Sequence, residues 1–222
     1  PNVKPQKCDQ FALGYFRNFD NDAIETSVEV YYKNMQNVID FKDNARTYGN
    51  VLIDGELRTG KGRSYGIEFL VRKNVGKFTG WISYTYSRTL RTIEGINFGK
   101  EYRSPYDRPH NFVIVANYDL SKRISLAANW IYNTGIPVTY PYGQFTTGSV
   151  TYAIYNGSRN ESRYPDYHRL DLSFTCKLGK LDTRRRWQHD INVSVYNAYA
   201  RHNTWAITFD QGDDGSIVTE NM

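Results

Sequence analysis

The chain has 222 residues, with 28 Lys and Arg against 23 Asp and Glu, for a formal net charge of +5. That excess is modest and scattered through expected loops and turns, which excludes the continuous basic stripe of a nucleic-acid binder. No run of ~18 apolar residues exists, which excludes a transmembrane helix, and two lone cysteines make no disulfide framework.

Aromatic residues make up 15% of the chain, and tyrosine alone accounts for 19 positions. Mean hydropathy is −0.64, yet stretch after stretch places apolar residues at every second position. Gln10 to Phe19 reads as a first strand, with Phe11, Leu13 and Tyr15 on one face. Asp20-Asn21-Asp22 is turn chemistry. Ile24 to about Lys33 follows, with Thr26, Val28, Val30 and Tyr32 against Glu25, Ser27, Glu29 and Lys33, and a continuation through Val38 to Phe41 is allowed. Residues 42–63 read as a long loop. Ser64 to Asn74 places Tyr65, Ile67, Phe69 and Val71 opposite Glu68 and Arg72. After a short turn, Phe78 to Arg88 sets Ile82, Tyr84 and Tyr86 against Ser83, Thr85 and Ser87. Residues 89–110 form a second long loop that ends in SPYDRPH.

Asn111 to Asn133 is the clearest hairpin. Phe112, Ile114, Ala116 and Tyr118 alternate with Val113, Val115, Asn117 and Asp119. Ile124, Leu126, Ala128, Trp130 and Tyr132 alternate with Ser125, Ala127, Asn129, Ile131 and Asn133. A period of two marks strands with two different neighbours. Residues 134–166 are a third long loop. Tyr167 to Leu178 then alternates Leu170, Leu172, Phe174, Cys176 and Leu178 with Asp171, Ser173, Thr175 and Lys177. Cys176 on the apolar side behaves as a small hydrophobe. Gly179 to Arg186 turns the chain and Trp187 to Asn197 returns it. Trp205 to Phe209 is expected to extend that strand. The chain starts at Pro1 without a basic-then-apolar leader and ends in the polar VTENM, expected to be non-strand; both ends are expected to be cuts.

A soluble sandwich also alternates. Three features favour a transmembrane β-barrel: arms of about ten residues, aromatics near strand ends, and recurrence along the chain. Short turns follow strands one, three, five and seven and long loops follow two, four and six, the asymmetry of an outer-membrane barrel. The expected fold is all-β, antiparallel, with about eight strands that either close on themselves or are completed by further chain. On such a wall Glu25, Glu29, Glu68, Arg72, Asp171 and Lys177 belong to the lumen side, because a charge facing lipid costs up to ~2–4 kcal/mol. Tyr140, Tyr142, Phe145, Tyr152 and Tyr155, in the loop 134–166, are the ligand-contact candidates, since loops on a rigid scaffold carry recognition and tyrosine combines area with a hydrogen-bonding tip.

Other groupings are weaker. His110 beside Asp107 and Arg108 is one histidine with one carboxylate, short of a metal site's three or four ligands, and reads better as charge pairing at a barrel rim. His168 with Asp166 and Arg169 lacks a serine in a nucleophile setting. Arg184-Arg185-Arg186-Trp187 reads as a turn leading into an aromatic girdle. Asp210, Asp213 and Asp214 lack the spacing of a calcium loop. The acceptor patterns at Asn156 and Asn160 are read as accidental. No catalytic residue, metal or cofactor is expected.

Several runs together resemble the C-terminal part of a TonB-dependent outer-membrane receptor barrel: NVKPQKCDQFALGYFRNF, ETSVEVYYKNMQNVIDF, SPYDRPHNFVIVANYDL, WIYNTGIPVTYP, RYPDYHRLDLSF and VSVYNAYARHN. The resemblance implies a bacterial outer-membrane location and a 22-stranded barrel, of which residues 1–222 are a part lacking the plug domain and the last strand. It further implies import of a scarce ligand (siderophore, haem, cobalamin, glycan or peptide) with energy from the TonB complex, reached through an absent N-terminal part. Outer-membrane lipid is then a partner, no nucleic acid is, and a surface lipoprotein joins only if the receptor is of the glycan-uptake type. The rival readings are a small self-closed barrel serving as anchor or adhesin, and an outer-membrane hydrolase.

Overall fold

The computed structural model describes residues 3–45, 49–148, 150–155, 158–179, 187–211 and 217–221. Its strands are β1 (Lys7–Phe19), β2 (Ile24–Phe41), β3 (Leu57–Lys73), β4 (Phe78–Ile93), β5 (Tyr102–Arg103), β6 (His110–Asp119) and β7 (Ile124–Asn133). They continue with β8 (Pro137–Val138), β9 (Gly143–Thr147), β10 (Val150–Ile154), β11 (Ser162–Arg163), β12 (Tyr167–Leu178) and β13 (His189–Val195), then β14 (Ile207–Gln211) and β15 (Ile217–Asn221). No described helix is long and apolar enough to cross a membrane.

The wall is one antiparallel sheet in the order β1-β2-β3-β4-β6-β7-β12-β13, each long strand beside its predecessor, with β5 also on β4. β1 pairs only with β2 and β13 only with β12, so these eight strands do not close on one another as the small-barrel alternative required. The register gives the wall two faces. Leu13, Val30, Ile67, Tyr86 and His110 form one cross-strand row; Tyr15, Val28, Phe69, Tyr84, Phe112, Tyr132 and His168 form the next. On β1 the apolar side chains of these rows stay exposed, Leu13 by 75% and Tyr15 by 62%, and Val28, Val30 and Phe69 are exposed beside them. So large an apolar surface marks an interaction face, and on a barrel wall that partner is lipid.

The connections follow the expected asymmetry, with short turns after β1, β3 and β6 and long connections after β2, β4 and β7. Asp20, Asn21 and Asp22 close the first turn, all left-handed at φ 53, 49 and 66, a conformation that short polar side chains tolerate. Apart from Ala23 in that turn, the buried residues gather towards the opposite end of the wall, where Ile93, Ile96 and Tyr102 form a small core.

Several boundaries differ from expectation. β3 starts at Leu57 and β4 runs to Ile93, so the first two long loops shrink to 42–56 and 94–109. The added strand ends carry charges on both faces and therefore no apolar alternation. β2 reaches Phe41 through a bulge at Asn37, where φ is 56 and the register slips by one residue. The loop 134–166 contains two small ladders, β9 with β10 and β8 with β11. Ile207–Gln211 does not extend β13; it pairs with Ile217–Asn221, so the polar chain end, expected to be non-strand, is a strand. Most of the turn 179–186, with Arg184 to Arg186, lies outside the described residues, as do Asp213, Asp214 and Asn156.

Candidate functional site

The face opposite the apolar one holds all six predicted charged residues. Glu25 stands across from Arg72 and Glu29 from Glu68, between β2 and β3, while Lys177 stands across from Asp190 between β12 and β13. Asp171 is engaged by its neighbour: Arg169 donates to both its carboxylate oxygens, at 2.9 and 3.0 Å from Nε and at 2.8 Å from a terminal nitrogen, and the Asn197 amide donates to it at 3.0 Å. The Arg169 guanidinium also lies 4.0 Å above the Tyr196 ring and donates to the Tyr167 hydroxyl at 2.9 Å. The six therefore form two separate groups, four on β2 and β3 and two on β12, and not one constellation.

Above this face lies a layer of loops tied down by two carboxylates. Asp40 accepts from Arg91 at 3.1 Å, from Arg159 at 3.1 Å and from the Tyr102 hydroxyl at 2.9 Å. The bulge at Asn37 makes this possible. A one-residue slip moves every later side chain to the other face, and it turns Asp40 from the apolar side towards Arg91. Burial, then the Asp40 charge and hydrogen bond, push the Tyr102 phenol well above its ordinary range, so it stays a donor. The second anchor, Asp107, is fully buried. It accepts from the Thr89 amide at 2.7 Å, from Arg88 Nε at 3.2 Å and from Arg163. Between the two, Asn97 accepts from the Arg159 amide at 2.9 Å, and Asn160 donates to the Arg103 carbonyl at 2.6 Å. Arg159 and Arg163 thus staple the third long loop onto the first two.

The five predicted loop aromatics gather on or beside the β9–β10 hairpin. Tyr142 is 81% exposed, Phe145 and Tyr155 are exposed and Tyr140 is half-buried. Tyr152 is the register partner of Phe145; its side chain lies outside the described set. None of the five lines the cleft of about 320 Å³ at the top of β7 and β12, bordered by Arg108, Asn133, Tyr164, Tyr167, Asn203 and Trp205. Asn133 and Tyr167 share the polar face as register partners. Sequence reasoning missed this cleft and the loop staples, because each joins segments far apart in the chain; Trp205, an aromatic among polar neighbours, was the one available signal.

The weaker groupings resolve into structural contacts. His110 Nδ1 meets the Tyr84 hydroxyl at 2.8 Å, on the apolar face, while Asp107 turns to Arg88 and Arg163. His168 Nδ1 meets the Tyr199 hydroxyl at 2.8 Å, and Asp166 accepts from Tyr132 at 2.6 Å. Both histidines join an aromatic belt running through Tyr84, Phe112, Trp130, Tyr132 and Tyr199. Among the described residues no group of three or more His, Cys, Asp or Glu is placed to hold a metal, and Cys8 and Cys176 are free.

The fold is similar to the crystal structure of the ferric-catecholate import receptor Fiu from E. coli K12 in its closed form, with a TM-score of 0.61 and 18% identity. The match covers 91% of this chain and 25% of that one, so the chain spans about a quarter of that receptor's length. No curated protein is matched. The family model described as TonB dependent receptor-like, beta-barrel, matches residues 1–198, and the chain belongs to that family.

Proposed function

We propose that this chain is a wall segment of a bacterial outer-membrane importer that binds a scarce nutrient ligand and passes it to the periplasm with energy delivered by the TonB complex. The ligand belongs to one of five classes: siderophore, haem, cobalamin, glycan or peptide. The observation that carries the reading is the two-faced wall beneath one stapled loop layer: apolar on one face, charged on the other, and capped at the long-loop end. Family membership supports it. The ligand meets the loop aromatics Tyr140, Tyr142, Phe145, Tyr152 and Tyr155 first, then the cleft beside Arg108 and Trp205. Glu25, Glu29, Glu68, Arg72, Asp171 and Lys177 face the lumen and the plug domain that fills it. The reading contains no catalytic step.

The test uses cells with and without the full-length receptor, given one labelled ligand from each class, in the presence and absence of a protonophore. Accumulation of one class that needs both the receptor and the proton gradient is the expected result. Accumulation of none, with the receptor shown to be in the outer membrane, overturns the reading. For that ligand, Tyr142→Ala with Tyr155→Ala is expected to weaken binding about tenfold, or ~1.4 kcal/mol; unchanged affinity removes the loop aromatics from the site.

A further inference from the structure

The polar face of the wall is not uniform. From Thr79 to Thr85 on β4, from Asn111 to Asn117 on β6 and from Ser125 to Asn133 on β7, every residue on that face is uncharged. Ser83, Val113 and Ile131 form one cross-strand row, and Trp81, Val115 and Asn129 form the next towards the short turns. Charge returns on either side. Glu68 and Arg72 on β3 are the register partners of Thr85 and Trp81, and Arg169 and Asp171 on β12 are those of Ile131 and Asn129. With same-face residues ~6.8 Å apart along a strand, this neutral lane on three strands is ~20 Å long.

The two charged borders differ. On β12 the charge is neutralised within the wall, because Arg169 grips Asp171 and the Asn197 amide adds a further bond. On β2 and β3, Glu29 stands directly across from Glu68. Like charges placed opposite one another destabilise a sheet, and a cation reaching them from the lumen relieves that repulsion. A domain filling the lumen therefore gains charge pairs at the β2–β3 border, while the lane offers it only neutral side chains. The cleft of about 320 Å³ opens at the head of the lane, since Asn133 lines the one and begins the other.

We propose that the transport path descends along this lane, from the cleft past β4, β6 and β7 to the short-turn end, while the plug stays docked against β2 and β3. The lane rests on the import reading above and adds to it which part of the wall the ligand follows. Parting a domain from neutral side chains breaks no ion pair, whereas separating a buried pair leaves both charges without a partner in a poorly solvated gap. The lane is accordingly where wall and plug separate most readily. A lane without fixed charge also holds no passing ligand by an ion pair.

The test reads thiol labelling in cells carrying the full-length receptor with its native cysteines replaced, Cys8→Ser and Cys176→Ser among them, and one new cysteine added. Val115→Cys and Ala127→Cys sample the lane, and Ser27→Cys samples the polar face of β2; all three positions are half-buried on the wall, so the wall itself favours none. Cells receive all five ligand classes as one labelled mixture, together with a maleimide conjugate too large to cross the outer membrane unaided. With the proton gradient intact, both lane cysteines are expected to label about tenfold faster than with a protonophore, and Ser27→Cys to change by less than about twofold. An equal or larger gain at Ser27→Cys, or no gain in the lane while a labelled compound accumulates, overturns the lane and leaves the import reading standing. Accumulation of no compound, read in the same cells, overturns the import reading and the lane with it. Heat-modifiable migration confirms that each variant is folded; Asn117→Cys, at the register partner of Ala127, replaces a lane variant that is not.

Discussion

Asp107 and Glu101 sit in the same loop layer and show how burial sets the worth of an ion pair. Asp107 is fully buried against Arg88 and Arg163, which keep 26% and 20% of their side-chain surface. Removing one partner of a buried pair costs on the order of 3–5 kcal/mol, and solvent contact of the two arginines puts Asp107→Ala at the low end. Glu101 and Arg63 are 39% and 47% exposed, and Glu101→Ala is expected to cost less than ~1 kcal/mol. Guanidinium unfolding of the full-length receptor in vesicles separates the two; equal costs would mean that the buried node does not hold the loops. Asp166 gives a pH signature. Burial alone would raise its carboxyl, but bonds from Tyr132 and the Gly135 amide, with Arg163 nearby, hold it below the usual carboxylate range. A depressed carboxylate stabilises the fold above its unfolded pKa of ~3.9 and loses that contribution as pH falls through its folded value. The Gly135 amide, 2.9 Å from Asp166, is expected to keep its hydrogen-exchange protection at pH 5–7 and lose it only below about pH 4. Loss near pH 6 would assign that protection to another group.

Each long strand works as a boundary between two media, and its period of two decides what every residue meets. Ile114 lies in the apolar row with Ile82 and Trp130, between Phe112 and Tyr118, while Ser83 lies on the opposite face of the neighbouring strand. Ile114→Lys is expected to cost ~2–4 kcal/mol as a charge near the bilayer midplane, and Ser83→Lys much less. Unfolding midpoints in vesicles compare them directly; similar costs would contradict the assignment of faces. The outward Arg17 is consistent with that assignment, because it sits near the short-turn end with its guanidinium 4.7 Å from the Phe19 ring, where a long side chain reaches the interface. β2 carries the one irregularity that matters to the loops. Its bulged Asn37 donates to the Pro5 carbonyl at 2.9 Å, which fixes the slip that delivers Asp40 to the loop layer.

At the scale of the molecule, the wall ends in two open edges, on β1 and β13. Unpaired backbone groups in hydrocarbon cost several kcal/mol each, and an open edge invites pairing with another chain. Residues 1–222 expressed alone are therefore expected to aggregate and to give no heat-modifiable, detergent-resistant band, whereas the full-length receptor gives one. A resistant monomeric band from the segment would require β1 and β13 to pair.

Much of this wall was legible in residue order. Period-two alternation located all eight long strands, and Tyr167–Leu178 was placed without error, because lipid and polar surroundings impose opposite demands on successive residues. The same logic put Glu25, Glu29, Glu68, Arg72, Asp171 and Lys177 on one face. It failed where that demand is absent. The upper ends of β3 and β4 carry Arg58, Lys61, Arg63 and Arg91 on both faces, so they read as loop. The Asn37 bulge left no periodic trace, and the polar chain end gave no sign that Ile217–Asn221 pairs with Ile207–Gln211. Tertiary structure alone joined Arg159 to Asp40 and Arg163 to Asp107 and set Trp205 and Arg108 around one cleft, since meetings between distant segments depend on how the strands are ordered and staggered. The sequence by itself determined which way each side chain faces; the register of neighbouring strands decided which side chains meet.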